Sequence, residues 1–95
     1  MWGPERLLHI TLVTFRDDVE LATTRKRLAG LALACSDVNV LKPSGAEAER
    51  SWHACIEVRG AVEETLASSS WTTLMSAIVD AAEVYKAWTF SPTDA

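Results

Sequence analysis

The stretch LLHITLVTF, residues 7–15, decides how the rest of the chain is interpreted. It is rich in aliphatic and β-branched residues, and both of its alternating sets of side chains are largely apolar. This pattern is typical of a strand that is buried on both faces. We therefore expect residues 7–15 to form a central strand of a sheet.

Three more β-like runs and two helical regions follow this strand. The predicted strands are residues 38–41, 52–58 and 84–90, each bounded by Gly, Pro or polar residues. Asp17 followed by Glu20 resembles a capping box and predicts the start of the first helix. The second helical region begins after Gly60, and a new cap is expected at Ser70. The charged stretch 46–50 predicts a solvated connection between the second and third strands.

The order strand, helix, strand, strand, helix, strand predicts an α+β, ferredoxin-like fold with a four-stranded antiparallel or mixed sheet. Strands one and three are expected to lie side by side, and we predict that they run parallel. The helices cover one face of the sheet only. At 95 residues the chain is assigned to a single domain, residues 1–95.

The face opposite the helices is predicted to be apolar rather than solvated. We assign Trp52, Ile56, Trp88 and Phe90 to it. A large apolar face on a small domain marks an interface, and two-fold pairing is the commonest way to close it. The prediction is a homodimer in which two sheets pair into a dimeric α/β barrel.

Charge and composition exclude several classes of partner. The net charge of −4 opposes nucleic-acid binding, which depends on clustered Lys and Arg. No apolar run approaches the roughly 18 residues of a membrane span. With no apparent secretory signal, the chain is expected to be cytoplasmic, and Cys35 and Cys55 are expected to be free thiols. No cofactor and no metal are expected.

Three segments resemble a known family. Residues 8–18, LHITLVTFRDD, resemble the opening H-x-V-L-F-K signature of the stress-responsive dimeric α/β-barrel (Dabb) proteins. Residues 52–58, WHACIEV, are similar to their third strand, and residues 86–90, KAWTF, to their last. The resemblance extends over nearly the whole chain, and it implies a ligand pocket between the sheet and the helices.

Members of that family differ in function, so the fold alone does not define a reaction. They include olivetolic acid cyclase, a hydroxynitrile lyase and bacterial proteins of antibiotic pathways. The cyclase uses the tyrosine and histidine of a Tyr-x-x-His-Pro-x-His stretch. The corresponding residues 67–73, ASSSWTT, contain none of these, so that catalytic pair is absent. His9 and His53 match two strand histidines that line the cyclase pocket.

His9 and His53 are the candidate catalytic residues. If strands one and three run parallel, both imidazoles lie at the same level and face the helices, where one ring can act as acid or base while the other orients it. The alternatives are hydrogen-bonded core histidines, or zinc ligation together with Cys55. The candidate substrate-binding residues are Thr11, Val13, Cys55, Ser70, Trp71, Tyr85 and Thr89.

These features favour an enzyme of bacterial secondary metabolism with polyketide-cyclase-like acid–base chemistry on an apolar small molecule. One alternative is a non-catalytic, stress-responsive dimeric module that binds a small ligand. The other is a cofactor-free monooxygenase of antibiotic biosynthesis, which the tryptophan content keeps open.

Overall fold

A computed structural model describes residues 7–92 of the chain. In chain order the elements are β1 (Leu7–Phe15), α1 (Leu21–Ala32), β2 (Val38–Leu41), α2 (Ala46–Ser51), β3 (Ala54–Gly60), α3 (Val62–Leu66), α4 (Ser69–Ala81) and β4 (Ala82–Phe90). The predicted α+β, ferredoxin-like order of strands and main helices is confirmed.

The four strands form one antiparallel sheet in the order β2-β3-β1-β4. β1 is central, as predicted. The predicted parallel pairing of β1 and β3 is wrong, because Leu7 lies opposite Gly60 and Val13 lies opposite Ala54. A right-handed crossover through α1 places β2 parallel to β1 two positions away, and the chain then reverses into β3 between them.

The strand register decides which side chains face the helices. On β1 the buried set is Thr11, Val13 and Phe15. On β3 the buried set comprises Ala54, Ile56 and Val58, which are at most 1% exposed. The assignment of Ile56 to the dimer face is therefore wrong, because Ile56 packs under the helices opposite Thr11. A shift of one residue in register moves a whole set of side chains to the other face.

The helix boundaries also differ from the capping prediction. Glu20, not Asp17, caps α1, and its carboxylate accepts the backbone N–H of Thr23 at 2.7 Å. Ser68, not Ser70, caps α4, and its hydroxyl accepts the N–H of Trp71 at 3.2 Å. The segment predicted as a solvated connection forms the short helix α2.

The sheet face opposite the helices, here called the open face, is apolar and incompletely covered. Trp88 and Phe90 belong to it, as predicted, and are 44% and 51% exposed. The pairing places the following apolar side chains on this face: Leu8, Ile10, Leu12, Leu41, Cys55, Val84, Trp88 and Phe90. Trp52 precedes β3 and lines a cavity of about 250 Å³ together with Leu12, Leu41 and Cys55.

The sequence predicts neither a membrane-spanning helix nor a secretory signal, and the structure bears on the first of these predictions only. Within residues 7–92 no helix has both the length and the apolar character needed to cross a bilayer. The predicted lack of a secretory signal rests largely on residues 1–6, which lie outside the described range.

The face assignment predicts how Ile56 responds to truncation. Ile56→Ala should lower the free energy of unfolding by about 2–5 kcal/mol, because a fully buried side chain is removed. Leu33→Ala is the control, since Leu33 is 87% exposed, and its effect should stay within about 0.5 kcal/mol. Urea denaturation measures both. Similar small losses in the two variants would contradict the burial of Ile56 under the helices.

Candidate functional site around His9

His9 lies on the helix side of the sheet, on the same face of β1 as Thr11. Thr89 is its partner on β4, and His9 Nδ1 lies 2.7 Å from Thr89 Oγ1. Because β4 is an edge strand, Thr89 is exposed while His9 is partly buried. This hydrogen bond holds the imidazole at the boundary between the core and solvent.

Trp71 packs against the His9 ring from the first turn of α4. The two ring centroids are 6.0 Å apart and the planes meet at 78°, an edge-to-face contact. The Ser68 cap fixes the backbone of that turn through the Trp71 N–H. Trp71 is buried, so His9 is held between a rigid indole and the Thr89 hydroxyl.

Burial lowers the pKa of His9, because the apolar surroundings disfavour the charged imidazolium. The ring is therefore neutral at neutral pH. Either tautomer leaves Nε2 for a ligand: Nε2 accepts a hydrogen bond when Nδ1 donates to Thr89, and it donates one when Nδ1 accepts. A neutral imidazole held in this way can serve as a general base or as a hydrogen-bond donor.

Thr11 follows His9 on the same face of β1 and is fully buried. Its hydroxyl has no hydrogen-bond partner within the described part of the chain. A buried hydroxyl without a partner costs about 1–3 kcal/mol. Thr11 lies two residues along β1 from His9, on the same face, and has no exposed surface in this structure.

His53 does not join this site. β1 and β3 are antiparallel, so the residue opposite His9 is Val58, five positions from His53. At about 3.4 Å per residue the two histidines are separated by roughly 17 Å along the strands. The predicted pairing of the two imidazoles is therefore wrong, and the cause is the parallel pairing from which it followed.

His53 instead stabilises the other end of the sheet. Its Nδ1 accepts the N–H of Phe15 at 2.9 Å, and its own N–H donates to the carbonyl of Val13 at 2.8 Å. Arg25 Nε donates to the His53 carbonyl at 2.6 Å, which ties α1 to the start of β3. These contacts match the alternative of a hydrogen-bonded structural histidine.

The other predicted site residues are distributed over the molecule. Val13 is part of the core, with no exposed surface. Cys55 pairs with Leu12 on the open face, and burial, followed by the charge of Glu57, raises the pKa of its thiol. Ser70 lines a separate cavity of about 160 Å³. Tyr85 lies on the same face as His9, two cross-strand pairs away.

The structure thus brings together four of the predicted residues: His9, Thr11, Trp71 and Thr89. The zinc alternative required His9, His53 and Cys55 to converge, and they do not. Across residues 7–92 no three His, Cys, Asp or Glu side chains are grouped as metal ligands. The group around His9 offers an imidazole, two hydroxyls and an aromatic wall.

Solved structures share the fold at low sequence identity. A dimeric protein of unknown function with a ferredoxin-like fold from Bacteroides fragilis matches with a TM-score of 0.70 and 12% identity, over 90% of this chain and 94% of that one. The hydroxynitrile lyase from Passiflora edulis matches with a TM-score of 0.70 and 10% identity, over 98% of each chain. SnoaB, a cofactor-independent oxygenase from Streptomyces nogalater, matches with a TM-score of 0.58 and 10% identity, over 96% of each.

No family model matches the sequence, and no curated protein matches it either. The likeness is therefore a likeness of fold, and the residues of the site carry any argument about chemistry.

The burial of His9 predicts a depressed imidazole titration. An NMR pH titration of the ring protons should give His9 a pKa below the usual value of about 6.5, and His9→Gln should remove that resonance. Between the two pKa values the unfolded chain binds more protons than the folded one. Stability linked to His9 is therefore present at neutral pH and falls as the pH decreases through this interval. A His9 pKa at or above the usual value would contradict the burial argument.

Proposed function

We propose that this protein is a homodimeric small-molecule enzyme of the dimeric α/β-barrel type, in which His9 transfers protons to or from a mainly apolar ligand. The observation that carries the proposal is the held imidazole of His9, with Thr89 on Nδ1 and Trp71 against its edge. One convergent group of polar atoms beside an aromatic wall is the usual form of such a site.

The chemistry proposed is polyketide-cyclase-like. A poly-β-ketone carries acidic hydrogens between two carbonyl groups, and Nε2 of His9 removes one of them to form an enolate. The enolate carbon attacks a second carbonyl of the chain, and the proton held on His9 returns to the new alkoxide. No cofactor takes part in this sequence. Such proton transfers contribute about 10²–10⁴-fold in rate.

The buried hydroxyl of Thr11 supports the same location. It has no partner among the described residues, and it follows His9 on the same face of β1. Thr11 has no exposed surface in this structure, so the proposal requires that ligand entry open the space above it, where a ligand oxygen then supplies the missing hydrogen bond. A negative charge that develops on that oxygen during the reaction would then be stabilised by Thr11.

The similar structures support a small-molecule enzyme without choosing the reaction. One is a hydroxynitrile lyase and another a cofactor-independent oxygenase. The oxygenase supports a cofactor-free monooxygenase as a second candidate, and Trp71 beside His9 provides an aromatic surface for such a substrate.

A non-catalytic, stress-responsive binding module is the third candidate. Two observations favour it: residues 67–73 lack the tyrosine and histidine of the cyclase, and His53 is remote from His9. In this case His9, Thr11 and Thr89 orient a ligand without reaction.

Turnover with three substrates separates the candidates. A linear β-polyketone thioester, mandelonitrile and anthrone are supplied to the wild type and to His9→Gln. Cyclised product, released cyanide and oxygen uptake are followed respectively. The proposal predicts cyclisation by the wild type and a loss of about 10²-fold or more in His9→Gln, since the proton-transfer group is removed.

Two further variants accompany this test. Thr11→Val should raise the melting temperature, because an unpaired buried hydroxyl is removed, and should still lower turnover. His53→Gln tests the remote histidine, and its turnover should exceed that of His9→Gln. Equal cyclisation by wild type and His9→Gln would refute the role of His9. Oxygen uptake alone would select the monooxygenase.

The homodimer is proposed through the open face. Leu12, Trp88 and Phe90 are apolar side chains on it that solvent reaches. Covering them, together with the adjoining cavity at Trp52, removes a large apolar area from water. The similar structure from Bacteroides fragilis is itself dimeric.

Trp88→Glu tests this interface without disturbing the core. A charge at the centre of an apolar interface is left unpaired, so the variant should be monomeric at micromolar concentration in light scattering while its circular dichroism stays folded. Leu33→Lys is the matched control, because Leu33 is exposed at the end of α1, away from the open face. A dimeric Trp88→Glu, or a monomeric wild type, would contradict the proposed interface.

A further inference from the structure

The edge strand β4 is not covered by the helices. α4 ends at Ala81 and β4 begins at Ala82, so the two elements diverge from a shared corner. Trp71, at the far end of α4, returns to the sheet beside His9. Between these two points Tyr85 and Ala87 lie on the helix side of β4, yet both are exposed. An open groove therefore runs beside α4 from the corner to His9.

The flank of α4 beside this groove carries two apolar side chains, Met75 and Val79. α1 contacts β2 and α4 contacts β4, so the flank of α4 turned away from α1 is on the β4 side. Thr72, Met75 and Val79 share this flank at helical spacing, and with Ser76 and Asp80, also on α4, they line an open depression of about 410 Å³. Val79 is 50% exposed although it is aliphatic. The flank thus offers a thioether and an aliphatic side chain to a ligand.

The residues of β1 and β4 that form the floor of the groove include one small side chain, Ala87, in the middle. Three cross-strand pairs follow one another along it: His9 with Thr89, Thr11 with Ala87, and Val13 with Tyr85. On β4 the methyl group of Ala87 lies between two larger side chains. Beside it, on β1, is the unpaired hydroxyl of Thr11. The space above Ala87, here called the slot, is therefore bounded by the imidazole of His9 at one end and the phenol of Tyr85 at the other.

We infer that this slot, defined by Ala87 between His9 and Tyr85, binds a planar ring that carries an oxygen on each of two opposite edges. His9 Nε2 bonds one oxygen and the Tyr85 hydroxyl bonds the other, while Met75 contacts the ring face. Ala87 is then the residue that sets the width of the ligand. This inference rests on the proposed function for its His9 end and adds the recognition of the second oxygen.

Dimensions and chemistry agree with such a ligand. Thr89, the cross-strand partner of His9, and Tyr85 are four residues apart on β4. Their Cα atoms are therefore about 13 Å apart along the strand. Two hydrogen bonds of about 2.8 Å each, with one six-membered ring between them, span most of that distance. A phenol donates and accepts, so Tyr85 matches a hydroxyl or a carbonyl oxygen equally. A thioether beside an aromatic ring is a favourable contact.

Hydroquinone and phenol are matched probes, because they share the ring and differ by the second oxygen. Their dissociation constants are measured by amide-shift titration of the full-length protein. In the wild type hydroquinone should bind about tenfold more tightly than phenol, the ratio expected for one additional hydrogen bond. Tyr85→Phe keeps the ring and removes the hydroxyl, so this advantage should disappear while phenol binding is unchanged.

Ala87→Leu fills the slot from an exposed edge position and should weaken both probes at least tenfold. Leu33→Ala changes an exposed side chain at the end of α1, away from both the slot and the open face, and should leave both constants unchanged. His9→Gln should weaken both probes. Equal binding of phenol and hydroquinone by the wild type, or a hydroquinone preference that survives in Tyr85→Phe, would overturn the two-oxygen slot.

The outcomes separate this inference from the proposed function. If His9→Gln weakens binding but the Tyr85 and Ala87 variants do not, the His9 site stands and the slot is overturned. If neither probe shifts the amides around Ala87 up to its solubility limit, or if His9→Gln changes nothing, the ligand site itself is overturned.

Discussion

The antiparallel pairing of β1 with β3 and β4 is the constraint on which the rest of the structure depends. It places Thr11, Val13 and Phe15 under the helices, and it turns Leu8, Ile10 and Leu12 to the open face. Because side chains alternate strictly along a strand, the register on one strand determines the faces of its neighbours. The core, the candidate site and the proposed interface all follow from this pairing.

The same pairing explains why the site lies at the β4 edge. On the β3 side the residues beside β1 are Ala54, Ile56 and Val58, and they are fully packed. On the β4 side the corresponding residues Tyr85, Ala87 and Thr89 are exposed. His9 is thus at the border of a closed half and an open half of one sheet face. That position combines the burial that lowers the pKa of His9 with an exposed neighbouring strand.

Much of the fold could be predicted from the sequence, because apolar periodicity and turn residues mark elements directly. The central strand, the order of the elements and the apolar positions Trp88 and Phe90 are examples. The direction of β3 could not be read in this way, since a strand has the same pattern in either direction. Its face was missed because the alternation separates Ala54, Ile56 and Val58 from the more polar set at 53, 55 and 57 without showing which set faces the helices.

The candidate site was predictable only in part. His9, Trp71 and Thr89 were recognisable as residue types, and the structure joins them. His53 is equally recognisable, but backbone contacts across the sheet, which no spacing reveals, give it a structural position. Ala87 carries no chemical signature at all. The role that we propose for it rests on the larger neighbours on either side and on its exposure at the edge of the sheet.

Nuclear Overhauser contacts of the His9 ring report the strand register and the candidate site in one measurement. We expect contacts from His9 to the Thr89 methyl group and to the Trp71 indole, and none to the His53 ring. Contacts between the His9 and His53 rings would contradict the antiparallel register, since they require β1 and β3 to run parallel. The group of residues around His9 at the β4 edge would then not form.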